Sequence, residues 1–289
     1  MKQHVQLTVL NGMAGNDVEA CMDQHLAWGL QVLDLKDRIF GKGVEHLNQE
    51  DAEKVAVLAS DRKLSVHTLS TGVFHSDIEV GEDAFRQQWF PLLENAIVVA
   101  KILKPGQVRL LMAGSHKRAD VLDSSVYLAE THPWVYGVYR EAVDRISDAG
   151  FHVVIENEVR NCLFSSAQEI LSFFEVLDQS DAVSLIWDAQ NLWQMGTFPT
   201  LEVYHMLRPL IGMVHVKGGR AEVPGGPLVW KAGLEDASWP VVSILKAAIA
   251  DGVSPVICLN PSHGQKSDNY VEDVAENLAF LRREIEEVA

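Results

Sequence analysis

Four polar residues in the second half of the chain each follow an apolar segment: Glu156, Asp188, His215 and Asn260. Two carboxylates and an imidazole are ligands that Mn²⁺, Mg²⁺, Co²⁺ or Zn²⁺ accept, and an amide oxygen can complete such a set. The four are spaced at intervals that suit one strand and one helix each. This pattern predicts that they converge on a single divalent metal ion, beside which a carboxylate can remove a proton.

Glu156 is the predicted general base as well as a metal ligand. It follows the apolar run 153–155, where a carboxylate is costly to bury unless an ion or a donor compensates its charge. Glu158 would share a face with Glu156 if the strand continued, so it stays a second candidate for ligand or base. Lys217, two residues after His215 and on the same face, is a candidate to bind a substrate oxygen; a solvated lysine is the alternative.

Other side chains near the predicted strand ends are candidates for contacting substrate. They are Asn191, His67, His116, His263 and Trp187. Asn191 is placed to form a hydrogen bond with substrate, and the first two histidines could touch substrate or metal. Trp187 could stack on a sugar ring, with packing in the core as the alternative.

Eight segments rich in Val, Ile and Leu must position these residues, and segments with helical spacing lie between them. The predicted strands are 5–10, 31–35, 64–69, 107–112, 152–157, 183–188, 213–217 and 255–260. Alternating strands and helices predict parallel pairing, and eight such units predict a single (β/α)8 TIM barrel over residues 1–289. A doubly wound open sheet is the alternative, but residues 11–15 lack its glycine-rich phosphate-binding pattern.

The composition limits the class of partner. The 289 residues include 24 Lys and Arg against 40 Asp and Glu, a formal net charge of −16. This charge opposes binding to nucleic acid or to anionic membranes. The three cysteines are far apart and form no C-x-x-C pair, and no apolar run approaches the roughly 20 residues that span a bilayer. These features predict a cytoplasmic protein.

The second half of the chain resembles the sugar isomerase/epimerase superfamily, whose members share a xylose-isomerase-like barrel. Residues 155–157 resemble its strand-five Glu motif, residues 187–191 its D-x-x-N/H motif, and residues 215–217 its H-x-K motif. The family includes keto-sugar 3-epimerases, hydroxypyruvate isomerase, inosose dehydratase and the AP endonucleases. The resemblance implies one divalent ion held by Glu, Asp, His and a final Glu, a small keto-sugar or polyol substrate, and a homo-oligomer, either a dimer or a tetramer.

The resemblance breaks at its last position, where Asn260 stands in place of the final Glu. In the relatives the first and last Glu also move the substrate's proton, and an amide cannot do so. Epimerisation with two bases therefore lacks one of them unless His263, Glu158 or Glu235 takes the place of the missing glutamate. Reactions that need one base, such as isomerisation and dehydration, survive more easily.

Three functions follow from these observations. The first is a metal-dependent isomerase, epimerase or lyase that removes a proton next to a carbonyl of a keto-sugar or polyol. The second is a non-catalytic or sugar-binding barrel that has lost activity. The third is a metal-dependent hydrolase resembling the AP endonucleases, which the net charge disfavours. The Gly218-Gly219 pair, where many relatives have Asp after the Lys, indicates that the substrate differs.

Overall fold

The centre of the molecule is a sheet of eight parallel strands. The computed structural model describes residues 5–229, 232–260 and 270–286. The strands are β1 (Gln6–Val9), β2 (Val32–Leu35), β3 (Ser65–Ser70), β4 (Gln107–Leu111), β5 (His152–Glu156), β6 (Val183–Asp188), β7 (Ile211–Val216) and β8 (Val256–Leu259). Each predicted strand is present, and its ends differ from the prediction by at most two residues.

The order of the strands makes the sheet a nearly closed barrel. Hydrogen-bonded neighbours follow the order β1-β8-β7-β6-β5-β4-β3-β2, and every ladder is parallel. The two strands at the ends of this order, β1 and β2, meet at a parallel bridge between Leu10 and Asp34. The predicted (β/α)8 barrel is therefore confirmed.

Helices surround the barrel and connect its strands. Within the described residues they are α1 (Val18–Ala27), α2 (Gln49–Asp61), α3 (Glu82–Leu103), α4 (Ser124–Thr131), α5 (Trp134–Asp148), α6 (Ala167–Leu177), α7 (Ala189–Gln194), α8 (Leu201–Leu207), α9 (Val241–Asp251) and α10 (Tyr270–Glu286). Side chains satisfy free backbone donors at several helix starts, as in the capping box that Ser166 and Glu169 form on α6. None of these described helices is both long enough and apolar enough to cross a bilayer.

The barrel interior is divided into two layers because alternate strand residues point inward. Five residues of the lower layer pack, together with Leu10 and Cys258, in an apolar cluster separate from the main core: Val32, Val154, Ile186, Met213 and Val256. Two residues further along the same strands lie the inward side chains of the upper layer: Asp34, Glu156, Asp188, His215 and Cys258. The upper layer therefore faces the carboxyl ends of the strands, where barrels of this kind carry their chemistry.

A local irregularity sets the alignment of β6 with β7. The ladder shifts by one residue between Leu185 and Ile186, and beyond the shift Asp188 pairs with His215. A Cβ atom at Gly212 would collide with the hydroxyl of Ser184. Glycine at this position therefore leaves room for the Ser184 side chain on the neighbouring strand.

Candidate metal centre

Three of the four predicted metal ligands meet inside the upper layer. Glu156 and Asp188 are the last residues of β5 and β6, and His215 is the penultimate residue of β7. All three are buried, and one ligand atom from each lies within 4.8 Å of the others. This spread suits donors that converge on one ion, each about 2 Å from it.

His215 lies between two carboxylates. Its Nδ1 atom is 2.9 Å from Glu156 Oε1, and its Nε2 atom is 3.4 Å from Asp34 Oδ2. Burial alone would lower the pKa of His215, but the negative charge of Glu156 and the contacts with Cys258 and Asp34 outweigh burial and raise the pKa well above its usual range. The imidazole ring is therefore held by acidic groups on both edges.

Arg109 is a buried partner of Glu156 that the sequence analysis missed. Its Nη1 atom donates to Glu156 Oε2, and its Nη2 atom donates to the carbonyl oxygens of Ser70 and Thr71, each at 3.0 Å. Burial would raise the pKa of Glu156, but the charges of His215 and Arg109 lower it below its usual range. The available signal was an arginine within an otherwise apolar strand, which requires a carboxylate or several carbonyls as partners.

Lys217 is the buried partner of Asp188. Its Nζ atom is 2.7 Å from Asp188 Oδ2 and donates to Asn191 Oδ1 at 2.7 Å. Only 1% of Lys217 is exposed, so the solvated alternative is wrong. Burial raises the pKa of Asp188; the positive charge of Lys217 offsets part of this shift, whereas the charge of Glu156 adds to it.

Two amides hold the ends of β5 and β6 together. The side chain of Asn157 accepts from the backbone nitrogen of Asp188 at 2.9 Å and donates to its carbonyl at 2.8 Å. Asn191 donates from Nδ2 to the carbonyl of Asn157 at 3.0 Å, and its backbone nitrogen donates to Asp188 Oδ1 at 3.0 Å. Asn191, predicted to bind substrate, therefore already makes hydrogen bonds that position Asp188 and Lys217.

Asn260 follows β8 directly. Its backbone nitrogen donates to the carbonyl of Val216 at 2.9 Å, and strand alternation places its side chain on the same side as Cys258. The side-chain oxygen is buried and has no hydrogen-bond partner among the described residues. A buried carbonyl oxygen without a partner is costly, and a cation would remove that cost.

Comparison with known proteins identifies the family to which the barrel belongs. The family model described as "Xylose isomerase-like TIM barrel" matches residues 27–284. The chain belongs to this family. A search of curated protein sequences finds no match.

Three solved structures place this member of the xylose isomerase-like family among similar barrels. A xylose isomerase-like TIM barrel protein from Mycobacterium smegmatis in complex with magnesium has a TM-score of 0.73 and 17% identity over 99% of this chain and 98% of its own. The IOLI protein with a binding zinc atom has a TM-score of 0.70 and 14% identity over 98% of each chain. D-psicose 3-epimerase from Clostridium cellulolyticum H10, with D-tagatose, has a TM-score of 0.70 and 11% identity over 96% of this chain and 98% of its own.

Two predicted substrate contacts lie away from the centre of this xylose isomerase-like barrel. His67 precedes the end of β3 by three residues, at the point where the β2–β3 ladder shifts, and its Nδ1 atom lies 2.8 Å from the Thr68 hydroxyl. Trp187 points outward from β6 and packs on Tyr204 of α8, with ring centroids 6.2 Å apart. The described contacts join neither residue to the metal ligands.

The remaining predicted residues occupy different parts of the rim. His116 is exposed in the loop after β4, with Nδ1 2.5 Å from Asp77 Oδ2. Glu158 is buried just beyond β5, where its charge acts on Arg109. His263 lies outside the described residues. Glu235, a possible substitute for the missing carboxylate, is exposed and pairs with Arg283 of α10 at 3.1 Å.

The glycine pair after Lys217 has a steric explanation. A Cβ atom at Gly218 would collide with the carbonyl of Ala232, and one at Gly219 would lie 2.7 Å from Leu228 Cδ1. An aspartate directly after Lys217 would therefore not fit against the segment that begins at Ala232. The departure from the resembled motif follows from how the loop after β7 packs.

Proposed function

We propose that the protein is a divalent-metal-dependent sugar isomerase/epimerase-like enzyme that removes a proton next to a carbonyl of a small keto-sugar or polyol. The observation that carries the proposal is the convergence of Glu156, Asp188 and His215 within one buried group at the carboxyl ends of the strands. Support comes from similar barrels whose names mention magnesium, zinc and a sugar epimerase.

The residues present fit a single metal ion. Glu156, Asp188 and His215 would hold it, and the side-chain oxygen of Asn260, which has no hydrogen-bond partner in the described part of the chain, is suited to be a fourth ligand. Mn²⁺, Mg²⁺, Co²⁺ and Zn²⁺ all accept this donor set. Such an ion, when bound, stabilises the negative charge that develops on the substrate oxygen.

The protein side chains divide the remaining work. Arg109 takes one oxygen of Glu156 and keeps this carboxylate ionised, so that Glu156 can accept a proton. Lys217 is fixed by Asp188 and Asn191 and would donate to a substrate oxygen. Because Asn260 cannot carry a proton, the chemistry proposed is one-base isomerisation or dehydration; epimerisation requires Glu158 or His263 as the second base.

A second candidate, a sugar-binding barrel without activity, is favoured by one observation. Each acidic ligand of the centre already has a cationic partner, Arg109 for Glu156 and Lys217 for Asp188. The low pKa of Glu156 also weakens it as a base. A centre balanced by the protein's own cations needs no metal to remain folded.

The proposal extends to location and partners. We expect a cytoplasmic protein with one barrel domain over residues 1–289, a small-molecule substrate, and neither nucleic acid nor membrane as partner, in line with the net charge of −16. We also expect a homo-oligomer, a dimer or tetramer, which light scattering after size-exclusion chromatography would measure.

Deuterium exchange tests the proposed chemistry even when the reaction product has not been identified. In D₂O with Mn²⁺, keto-sugars and polyols are screened for deuterium next to the carbonyl by NMR, and Mn²⁺ binding is measured by calorimetry. We expect one Mn²⁺ per chain and an exchange rate that falls about 10²–10⁴-fold in Glu156→Gln. Glu158→Gln tests the other base, and Glu202→Gln, at an exposed position on α8, is the control.

Each other result has a definite meaning. Sugar binding without exchange in any variant would establish the second candidate. Absence of Mn²⁺, Mg²⁺, Co²⁺ and Zn²⁺ binding would overturn the metal-dependent proposal.

A further inference from the structure

Asp34 is a buried carboxylate on β2 that the proposed chemistry leaves without a role. Its Oδ1 atom accepts a hydrogen bond from the Ser70 hydroxyl. Its Oδ2 atom lies 3.4 Å from Nε2 of His215, and both side chains are 0% exposed. Asp34 therefore faces the edge of the imidazole that is opposite to Glu156.

An imidazole that binds a metal uses the lone pair of one ring nitrogen and carries a proton on the other. Histidine ligands commonly donate that proton to a carboxylate, which fixes the orientation of the ring. In His215, Nδ1 faces the centre, since it lies 2.9 Å from Glu156 Oε1, and Nε2 faces Asp34. We propose that Asp34 is a positioning residue that keeps a proton on Nε2 and thereby directs Nδ1 of His215 to the metal.

The surrounding fold holds Asp34 in this orientation. In the β2–β3 ladder Asp34 pairs with Thr68, and the extra residue at the shift in this ladder is His67 of β3. The Ser70 hydroxyl donates to Oδ1, which holds one side of the carboxylate. Oδ2 lies 3.4 Å from Nε2 of His215 and forms no hydrogen bond among the described residues, so it is available to accept one from Nε2.

Cys258 offers a different use for the same residues. One ligand atom from each of Asp34, His215 and Cys258 lies within 4.8 Å of the others, so these three residues could bind an ion of their own. Such an ion would require the lone pair of His215 Nε2, whereas the positioning role requires a proton there. The two possibilities therefore differ in the number of ions bound and in the protonation of Nε2.

Metal affinity is the first test, and for the metal this inference rests on the proposed function. Calorimetry with Mn²⁺ compares the wild type with Asp34→Asn, which keeps the shape of the side chain, and with Ser70→Ala. We expect Asp34→Asn to weaken Mn²⁺ binding about 10–100-fold and Ser70→Ala to weaken it less. Thr8→Val is the control, because Thr8 is buried in the same barrel and donates to the carbonyl of Val32 rather than to Asp34.

The proton on Nε2 is the second test and needs no metal. In the ¹⁵N-histidine NMR spectrum of the metal-free protein, we expect a slowly exchanging Nε2 proton that disappears in His215→Gln, which assigns it. Asp34→Asn should remove this signal or shift it upfield, and Thr8→Val should retain it. Circular dichroism confirms that each variant is folded.

The outcomes separate the two proposals. Unchanged Mn²⁺ affinity in Asp34→Asn, or an equal loss in Thr8→Val, would overturn the positioning role. Two Co²⁺ ions per chain with a thiolate charge-transfer band would also overturn it, because Asp34 and Cys258 would then be ligands. No metal binding in the wild type would overturn the proposed function, whereas the Nε2 signal and its dependence on Asp34 would still support or reject the contact with His215.

Discussion

The two layers of the barrel interior share five strands but differ in chemistry. In each strand an apolar residue of the lower layer is followed, two positions later, by an ionisable residue of the upper layer: a carboxylate, an imidazole or, at Cys258, a thiol that also packs on the lower layer. The pairs are Val32 and Asp34, Val154 and Glu156, Ile186 and Asp188, Met213 and His215, and Val256 and Cys258. The lower layer buries hydrocarbon, whereas the upper layer buries ionisable groups that must find partners.

This comparison shows how one backbone pattern serves two purposes. Strand alternation sends both members of each pair to the same face, so the packing that fixes the lower layer also aims the upper one. Burial of the lower layer stabilises the fold, while the upper layer is costly unless its charges are paired. We therefore expect mutation, metal binding and pH to affect the two layers differently.

Loss of Arg109 should have the largest effect on stability. Arg109→Met removes the guanidinium from the buried Glu156 and leaves His215 as the remaining cationic neighbour of that carboxylate, and we expect the free energy of unfolding to fall by about 3–5 kcal/mol. Urea denaturation measures the change. The double variant Arg109→Met/Glu156→Met should recover much of the loss, because an apolar pair replaces the ion pair. A single variant as stable as the wild type would mean that the upper layer tolerates an unpaired charge.

Metal should stabilise the upper layer alone. At a Mn²⁺ concentration about 100 times Kd, we expect the free energy of unfolding to rise by about 2.7 kcal/mol, and EDTA should abolish the gain. Asp188→Asn should reduce this gain because it weakens one ligand. If Ile186→Val, in the lower layer, reduced it equally, the two layers would not be separable.

Glu79, at the rim of the barrel, is a further carboxylate whose charge is compensated by neighbouring donors. Its carboxylate accepts from Lys117 Nζ, Ser115 Oγ and Tyr127 OH, each at 2.6 Å. Burial would raise the pKa of Glu79, but Lys117 and the two hydroxyls lower it from 4.5 to about 2. A lowered pKa in the folded state gives stability that is present above about pH 4.5 and is lost as the pH falls toward 2.

Glu79→Gln measures that contribution. We expect the substitution to cost about 1.5–3 kcal/mol near pH 6, because charge-assisted hydrogen bonds are lost, and the cost to shrink as the pH approaches about 2. Urea denaturation at both pH values gives the comparison. Glu202→Gln, at an exposed position on α8, is the control. A cost for Glu79→Gln that did not change with pH would contradict the lowered pKa.

The smallest effect is expected in the lower layer. Ile186→Val removes one buried methylene group and should lower the free energy of unfolding by about 0.5–1.5 kcal/mol. Its Mn²⁺ affinity, measured by calorimetry, should equal that of the wild type. An altered affinity would show that the position of Asp188 depends on the fine packing below it.

The barrel fold and the convergence of the three predicted ligands could both be predicted from the sequence, and the reason is physical. Parallel strands joined by helices bring their carboxyl ends to one face, so Glu156, Asp188 and His215 converge whatever the details of the loops. The alternation of side chains along a strand also predicts the direction of Trp187. It directly precedes Asp188, which points inward, so Trp187 must point outward. The direction of His67 could not be predicted in this way, because it depends on the shift in the β2–β3 ladder at this residue.

The side chains on other strands that contact these ligands could not be predicted from the sequence. Arg109 on β4 meets Glu156, and Asp34 on β2 meets His215, which lies on β7. Such contacts depend on barrel diameter and strand tilt, and no interval along the chain encodes them. Whether Lys217 is buried could not be predicted either, because its exposure depends on how the loop after β7 packs.

The bridge between Leu10 and Asp34 joins the first and last strands of the sheet order. The residue that completes the barrel therefore also contacts His215. Local opening between β1 and β2 would remove one of the two backbone neighbours of Asp34 and leave only its pairing with Thr68 of β3. The place where the sheet closes is therefore also a place where local unfolding can loosen the surroundings of His215, and amide hydrogen exchange in β1 and β2 would measure how often it opens.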